Sequence, residues 1–332
     1  MNRERTEAES EYKRESTHRR YARRAFLREA GAGSLVAGAA CLGALSKASA
    51  AASAAEKAPL LPTITIGGKT ITRLITGGNP VQGASQPTLH VTRHMVEYYT
   101  PEHIADLLVH SEEVGINTFQ VSYSDRVRDG LRRAWERGSK IQWICLTSAD
   151  EGQPSLERLL ELKPIALVHH GGVTDRLFRQ GKSDAIGDFI KKVHDKGLLA
   201  GVSSHVPANI RAVEEKGLGN DFFMCCFYNV VRTKEELKRQ FGMAPVDNLY
   251  YLDGDPQAMT EVIRQSRKPC LGFKILAAGR LCWYPDSVEQ AFQFAFRNIK
   301  ATDGVIVGMY PRFEDEPKIN AGLTRKHGSV VS

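Results

Sequence analysis

Short apolar runs alternate with longer amphipathic stretches from about residue 60 onwards. β-Branched residues in the short runs indicate strands, and the alternation is typical of a parallel sheet with crossover helices. The eight predicted strands are Arg73–Thr76, Thr118–Val121, Gln142–Leu146, Ala166–His169, Ala200–Val202, Phe222–Phe227, Cys270–Lys274 and Val305–Val307. Ahead of them, Gly67-Gly68 predicts the turn of a β-hairpin that joins Thr63–Ile66 to Thr70–Thr72.

The stretches between these strands predict helices whose ends carry suitable residues. Pro207, Pro256 and Pro317 suit a first helical turn, and Gly197 and Gly217 suit helix ends. The predicted helices are Thr100–Val114, Asp125–Glu136, Ser155–Leu162, Asp184–Lys196, Pro207–Lys216, Pro256–Ser266, Ser287–Asn298 and Pro317–Leu323. Eight strand–helix units over roughly 250 residues predict an α/β fold, a (β/α)8 TIM barrel with an N-terminal hairpin.

The main alternative to a barrel is a doubly wound open sheet, which usually carries G-x-G-x-x-G after its first strand. The corresponding turn here reads Gly77-Gly78-Asn79-Pro80-Val81-Gln82-Gly83, which does not fit that motif. In a barrel, the two long connections 79–99 and 229–255 would lie over the C-terminal ends of the strands, where barrel enzymes act.

The N-terminal residues 1–54 are predicted to be a twin-arginine signal peptide and linker, ahead of a barrel domain at 55–332. Arg23-Arg24-Ala25-Phe26-Leu27-Arg28 precedes the uncharged stretch Ala30–Leu45, and small residues typical of cleavage sites follow. The uncharged stretch is too short and too rich in Gly and Ala to span a bilayer stably. We therefore expect a periplasmic or otherwise extracytoplasmic protein that uses the twin-arginine translocation machinery, with cleavage or retention as an anchor left open.

Charge and cysteine content narrow the class of protein further. The leader carries +4 of the total net charge of +7, so the remainder carries +3 and no dense Lys/Arg run. This weak field gives no support to nucleic acid as a partner. Five cysteines follow the leader, without any C-x-x-C, and are predicted to be buried free thiols.

Polar side chains stand where the predicted strands end, which favours a small-molecule pocket. His169 could donate a proton or orient a carbonyl oxygen. Tyr123 could protonate a substrate oxygen if a cation lowered its pKa, and Lys274 could supply that cation or bind a phosphate. A metal site built from His169, His205 and a carboxylate is a weaker interpretation, because the spacing is not diagnostic and no metal is expected.

Several segments, taken in order, resemble the aldo-keto reductases across about residues 63–324. The resemblance is carried by Ile75–Asn79, Gly115–Gln120, Ala166–His170, Gly201–His205, Tyr228-Asn229, Phe273–Gly279 and Val305–Met309 with Asn320. It implies reduction of carbonyls with NADP by a tetrad of Asp, Tyr, Lys and His.

Only His169 of that tetrad matches. Gln120 stands at the Asp position, Asp125 at the Tyr position and Thr147 or Ser148 at the Lys position. The cofactor side matches better, because the resemblance places Ser203 and Ser204 at the nicotinamide amide and Phe273 as a stacking ring. It places three further residues at the adenosine phosphate: Gly308, Arg312 and Asn320.

The sequence thus predicts an exported NADP-dependent oxidoreductase with an altered tetrad, acting on a small carbonyl or alcohol compound such as a sugar. Two alternatives stay open. One is a metal-assisted lyase, isomerase or hydrolase on the same barrel, and the other is a barrel that binds a ligand without catalysis. The fold does not decide between them.

Overall fold

A computed structural model describes residues 57–84, 88–147, 154–243 and 249–329. The predicted signal peptide and Ser148, one of the two residues at the Lys position, lie outside these ranges. None of the helices within them is long and apolar enough to cross a bilayer.

Eight parallel strands close into a barrel, as the sequence predicts. They are β3 (Leu74–Gly77), β4 (Thr118–Ser122), β5 (Gln142–Thr147), β6 (Ala166–His169), β7 (Leu199–Ser204), β8 (Phe222–Cys226), β9 (Cys270–Phe273) and β10 (Gly304–Gly308). Each strand pairs with the next along the chain, and β10 closes the barrel by pairing with β3, with Gly308 opposite Gly77. This closed order confirms the (β/α)8 barrel and excludes the open sheet.

The predicted hairpin is also present, formed by β1 (Thr63–Ile66) and β2 (Lys69–Thr72) in antiparallel register. Its isoleucines Ile64, Ile66 and Ile71 are buried in the same cluster as the inner residues Ile75 and Ile144 of the barrel. Because strand side chains alternate between faces, the hairpin buries one apolar face against the barrel interior.

Helices surround the barrel and connect its strands. They are α1 (Leu89–Tyr98), α2 (Pro101–Glu113), α3 (Asp125–Glu136), α4 (Leu156–Leu160), α5 (Gly171–Arg179), α6 (Asp184–His194), α7 (Pro207–Glu215), α8 (Lys234–Phe241), α9 (Asp255–Gln265), α10 (Pro285–Asn298) and α11 (Glu316–His327). The sequence predicted all of these except α1, α5 and α8. Helices α1 and α8 occupy the two long connections that were expected only as loops.

The barrel strands are buried on both faces, and their side chains divide into two apolar layers. The inner layer holds Val168, Phe222, Met224, Leu271 and Ile306. The outer layer lies between the strands and the helices, and includes Phe119, Trp143, Leu167, Val202 and Phe223 together with helix residues. Strand parity therefore decides whether a polar residue at a strand end faces the barrel axis or the helices.

The described cysteines are free thiols, as predicted. Cys145, Cys225, Cys226 and Cys270 are buried, as predicted, whereas Cys282 is exposed, so the predicted burial is wrong for Cys282. Burial raises the pKa of Cys226 to about 12, which keeps this thiol protonated at neutral pH.

Candidate active site at the mouth of the barrel

A cleft of about 690 Å³ opens at the C-terminal ends of β3, β9 and β10 and extends to α10 and α11. Three of the predicted site residues line it, namely Lys274, Gly308 and Asn320. Ile306, an inner-layer residue of β10, lines it as well, so the cleft reaches the barrel interior. Such a volume at the C-terminal face of a barrel is typical of a small-molecule site.

Most of the described residues that line this cleft are apolar, and its charged residues are mainly acidic. Lys274 is the single basic residue among these lining residues, and the acidic ones are Asp286, Glu289, Glu314 and Glu316. Burial raises the pKa of Glu316, although its carboxylate accepts a hydrogen bond of 2.6 Å from the backbone N–H of Tyr310. The charge pattern therefore favours ligands that present hydroxyl groups here and one anionic group near Lys274.

Lys274 sits in a strained turn directly after β9. Its φ of 60° is left-handed, as are those of Ala277 (48°) and Ala278 (52°) in the same turn. Within the described part of the chain its ammonium group forms no ion pair or hydrogen bond. Burial lowers its pKa, and the nearby positive charge of Arg280 acts in the same direction.

Tyr123 lies on a different side of the mouth. Its hydroxyl donates to Asp125 Oδ1 at 3.0 Å and accepts from Arg158 Nε at 2.8 Å. The Arg158 guanidinium also lies 5.1 Å from the centre of the tyrosine ring. Tyr123 does not line the cleft, so the structure does not bring it together with Lys274 there.

His169 faces the helix layer and not the barrel axis. It has the same strand parity as Leu167 of the outer layer. Its Nδ1 lies 2.7 Å from Thr174 Oγ1, and its ring meets that of Phe189 edge to face. The catalytic role predicted for His169 stays a prediction. Its side chain points towards the helix layer and does not line the cleft.

The other predicted cofactor residues do not line the cleft, and they face different parts of the molecule. Ser204 faces outward, where its hydroxyl donates to Asp175 Oδ1, whereas Ser203 lies on the inner face of β7 against Gly171. Phe273 lies on the inner face of β9 and meets the ring of His205 edge to face, with centroids 5.7 Å apart. Arg312 does not line the cleft, and its guanidinium lies over the rings of Tyr98 and Phe313.

Sequence reasoning missed one polar pair at the mouth. From the sequence, His205 is a candidate metal ligand and the end of one segment of the family resemblance, and Asp175 is no candidate, because helix α5 is not predicted. The structure joins them by a hydrogen bond of 2.8 Å between His205 Nδ1 and Asp175 Oδ2. No cluster of three or more His, Cys, Asp or Glu side chains arranged to hold a metal occurs within the described residues.

No model of a known protein family matches the chain, and no curated protein matches its sequence. Solved structures are similar only at low identity. Gox0644 in its apo form is 12% identical, with a TM-score of 0.45 over 82% of this chain and 97% of that one. The glycerol dehydrogenase AKR11B4 from Gluconobacter oxydans is 11% identical, with a TM-score of 0.41 over 82% and 98%.

A dihydropteroate synthase from Xanthomonas albilineans is 12% identical, with a TM-score of 0.44 over 80% of this chain and 98% of that one. These proteins differ in chemistry, so likeness at this level does not bear on the activity of this chain.

Proposed function

We propose that the chain is an exported oxidoreductase that interconverts a small alcohol and the corresponding carbonyl compound, with a nicotinamide dinucleotide bound in the cleft. One observation carries the proposal. Lys274, Gly308 and Asn320 come from three separate segments, and all line one cleft that reaches the barrel interior. The dinucleotide, when bound, supplies or accepts the hydride.

The cleft fits such a group in size and in its polar surfaces. Its volume lies within the roughly 300–1,000 Å³ of ligand sites. Gly308 offers backbone without a side chain, and Asn320 offers an amide to the nucleotide. Lys274 offers a positive charge to one anionic group of a bound ligand. The first residues of α10, Pro285 and Asp286, also line the cleft, so the positive end of that helix faces it.

The family resemblance implies NADP, whose additional phosphate requires a cation. The described lining instead presents four carboxylates and no arginine, since Arg312 stacks on aromatic rings elsewhere. A carboxylate near the ribose 2′-hydroxyl is typical of NAD sites, whereas an arginine is typical of NADP sites. The charge of the lining therefore favours NAD over NADP as the cofactor.

Nucleotide binding tests this proposal directly. The full chain is titrated with NADH and with NADPH while the fluorescence of the reduced nicotinamide is followed. We expect saturable binding, tighter for NADH, that weakens at least tenfold in Asn320→Leu and is unchanged in the control Lys192→Met, at an exposed position of α6. Absence of binding by both nucleotides would contradict the oxidoreductase proposal.

Export is tested separately, because it does not depend on the reaction. The full chain and an Arg23→Lys, Arg24→Lys double variant are expressed in a bacterium with a working twin-arginine pathway. We expect the unaltered chain in the periplasmic fraction and the variant in the cytoplasmic fraction. Equal export of both would overturn the proposed route.

A further inference from the structure

Asp175 is a buried carboxylate that organises one corner of the barrel mouth. Its side chain is 1% exposed. Oδ2 accepts hydrogen bonds from His205 Nδ1 at 2.8 Å and from the His205 backbone N–H at 3.2 Å. Oδ1 accepts from Ser204 Oγ at 2.5 Å and from Asn209 Nδ2 at 3.0 Å.

These donors determine the charge of Asp175. Burial alone would raise its pKa, but the hydrogen bonds and charge of His205, with Ser204 and Asn209, lower the pKa below its usual value. The carboxylate is therefore ionised at neutral pH and can only accept. Nδ1 of His205 must then carry a hydrogen, so neutral His205 has its lone pair on Nε2.

The ring contact with Phe273 places His205 at the mouth of the barrel. His205 directly follows Ser204, the last residue of β7, which pairs with Cys225 of β8. The next residue of β8, Cys226, pairs with Phe273. The His205 side chain is 14% exposed, and Nε2 has no hydrogen-bond partner in the described part of the chain.

Lys274 lies at the same end of the barrel, two strands away from His205. It directly follows Phe273, the last residue of β9, whose ring contacts that of His205 after β7. The mouth thus combines an imidazole base held by a buried carboxylate with a cation that has no counter-ion among the described residues, although His205 does not line the cleft that Lys274 lines. A base directly after β7 and a cation directly after β9 match a substrate that carries a hydroxyl group beside a carboxylate.

We propose that the substrate is a small hydroxy acid or its oxo acid, that His205 is the catalytic acid–base, and that Lys274 binds the carboxylate. Asp175 is the positioning residue. In the oxidative direction the hydroxyl O–H bond breaks, its proton goes to His205 Nε2, and its electron pair forms the C=O bond. The hydrogen on carbon leaves with the electrons of its C–H bond to the oxidised nicotinamide dinucleotide, so this inference rests on the proposed function.

Chemical modification tests the dyad without requiring turnover. The full chain is treated with diethyl pyrocarbonate, and modification of His205 is followed by peptide mass mapping. We expect glycerate to slow modification of His205 at least fivefold and glycerol, which lacks the carboxylate, to leave it unchanged. Lys274→Met should abolish the protection. Equal effects of glycerate and glycerol, or protection that survives in Lys274→Met, would overturn the hydroxy-acid assignment.

Nitrogen-15 NMR of the imidazoles tests the positioning role of Asp175. We expect Nδ1–H and a bare Nε2 for neutral His205, and loss of this single tautomer in Asp175→Asn. A purely structural role of Asp175 would leave the tautomer unchanged. His194, which pairs with Asp221 at 2.9 Å on the exposed surface, serves as the matched control for both measurements.

Turnover separates the two proposals from each other. His205→Gln should lower kcat for glycerate oxidation by about 100-fold or more with little change in KM. Lys274→Met should chiefly raise KM, and His194→Gln should match the unaltered chain. Nucleotide binding with an undiminished kcat in His205→Gln would overturn the dyad and leave the proposed function standing. Failure to bind nucleotide would overturn the proposed function, and the protection and tautomer results would still decide the dyad.

Discussion

His169 and Phe189 meet edge to face, with ring centroids 5.0 Å apart, in the layer between β6 and α6. The same histidine lies 2.7 Å from Thr174 Oγ1 through its Nδ1. The position that the family resemblance equates with a catalytic histidine therefore faces the helices. His205, which directly follows the next strand, β7, faces the mouth instead.

The outward orientation of His169 predicts that its substitution affects stability more than catalysis. His169→Leu should lower the free energy of unfolding by about 1–3 kcal/mol, because buried Thr174 loses a hydrogen-bond partner. It should lower kcat less than tenfold. Urea unfolding and steady-state turnover measure the two effects. A loss of kcat above 100-fold with unchanged stability would instead support the catalytic role predicted for His169 from the sequence.

Arg73 predicts a large stability effect far from the mouth. Its guanidinium donates to the carbonyls of Asp303 at 2.8 Å, Gly328 at 2.7 Å and Lys300 at 2.9 Å, and lies 5.0 Å from the ring of Phe296. These hydrogen bonds connect the residue that precedes β3 to the segment before β10 and to the C-terminal end of α11. Arg73→Met should cost about 3–5 kcal/mol, because buried carbonyl groups lose a charged donor.

The matched control for that variant is Arg264→Met. Arg264 is exposed and, among the described residues, its guanidinium donates to Asn298 alone, so its loss should change the free energy of unfolding by about 0.5 kcal/mol or less. Equal urea midpoints for the two variants would contradict the stabilisation that we assign to the hydrogen bonds of Arg73.

The strands could be predicted because each is a short run of mainly apolar or β-branched residues between clear breaks in the pattern. Helix α5 could not, since it begins at Gly171-Gly172, residues that usually indicate a turn. Asp175 was missed with it. The sequence also could not show that His169 points outward, because every residue of β6 is buried and no alternation of polar and apolar residues marks its faces.

Asp175 predicts an acid-dependent component of stability. Its pKa is lowered in the folded protein from the ordinary value of 3.8. A lowered folded pKa gives stability that is present above pH 3.8 and is lost as the pH falls through the folded pKa. The stability difference between the unaltered chain and Asp175→Asn should therefore shrink below pH 3.8 in denaturant titrations.

Asp184→Asn is the control for the pH experiment. The Asp184 side chain is 93% exposed, and its pair with Lys216 is screened by solvent. Its stability difference should stay small and flat over the same range. A difference for Asp175→Asn that stays constant or widens on acidification would contradict the ionised state on which the dyad depends.

Substitutions of two glycines by alanine are expected to have opposite effects on stability, because one glycine lies where the barrel closes and the other lies inside a helix. A Cβ on Gly77 would lie 2.8 Å from Gly308 N and 2.9 Å from the carbonyl carbon of Val307, and this backbone belongs to the paired strand β10. Gly77→Ala must therefore push apart the seam between β3 and β10, at a cost of about 1–3 kcal/mol. Because Gly308 also lines the cleft, nucleotide binding should weaken in the same variant.

Gly322 provides the opposite case inside α11, where an added Cβ would meet nothing within 4 Å. Gly322→Ala should raise the free energy of unfolding by about 0.5–1 kcal/mol, because alanine loses less backbone entropy in a helix than glycine. Thermal denaturation of both variants compares the two effects. If Gly77→Ala is as stable as the unaltered chain, the seam tolerates a methyl group, and the tight β3–β10 approach beside the cleft cannot be a constraint on the site.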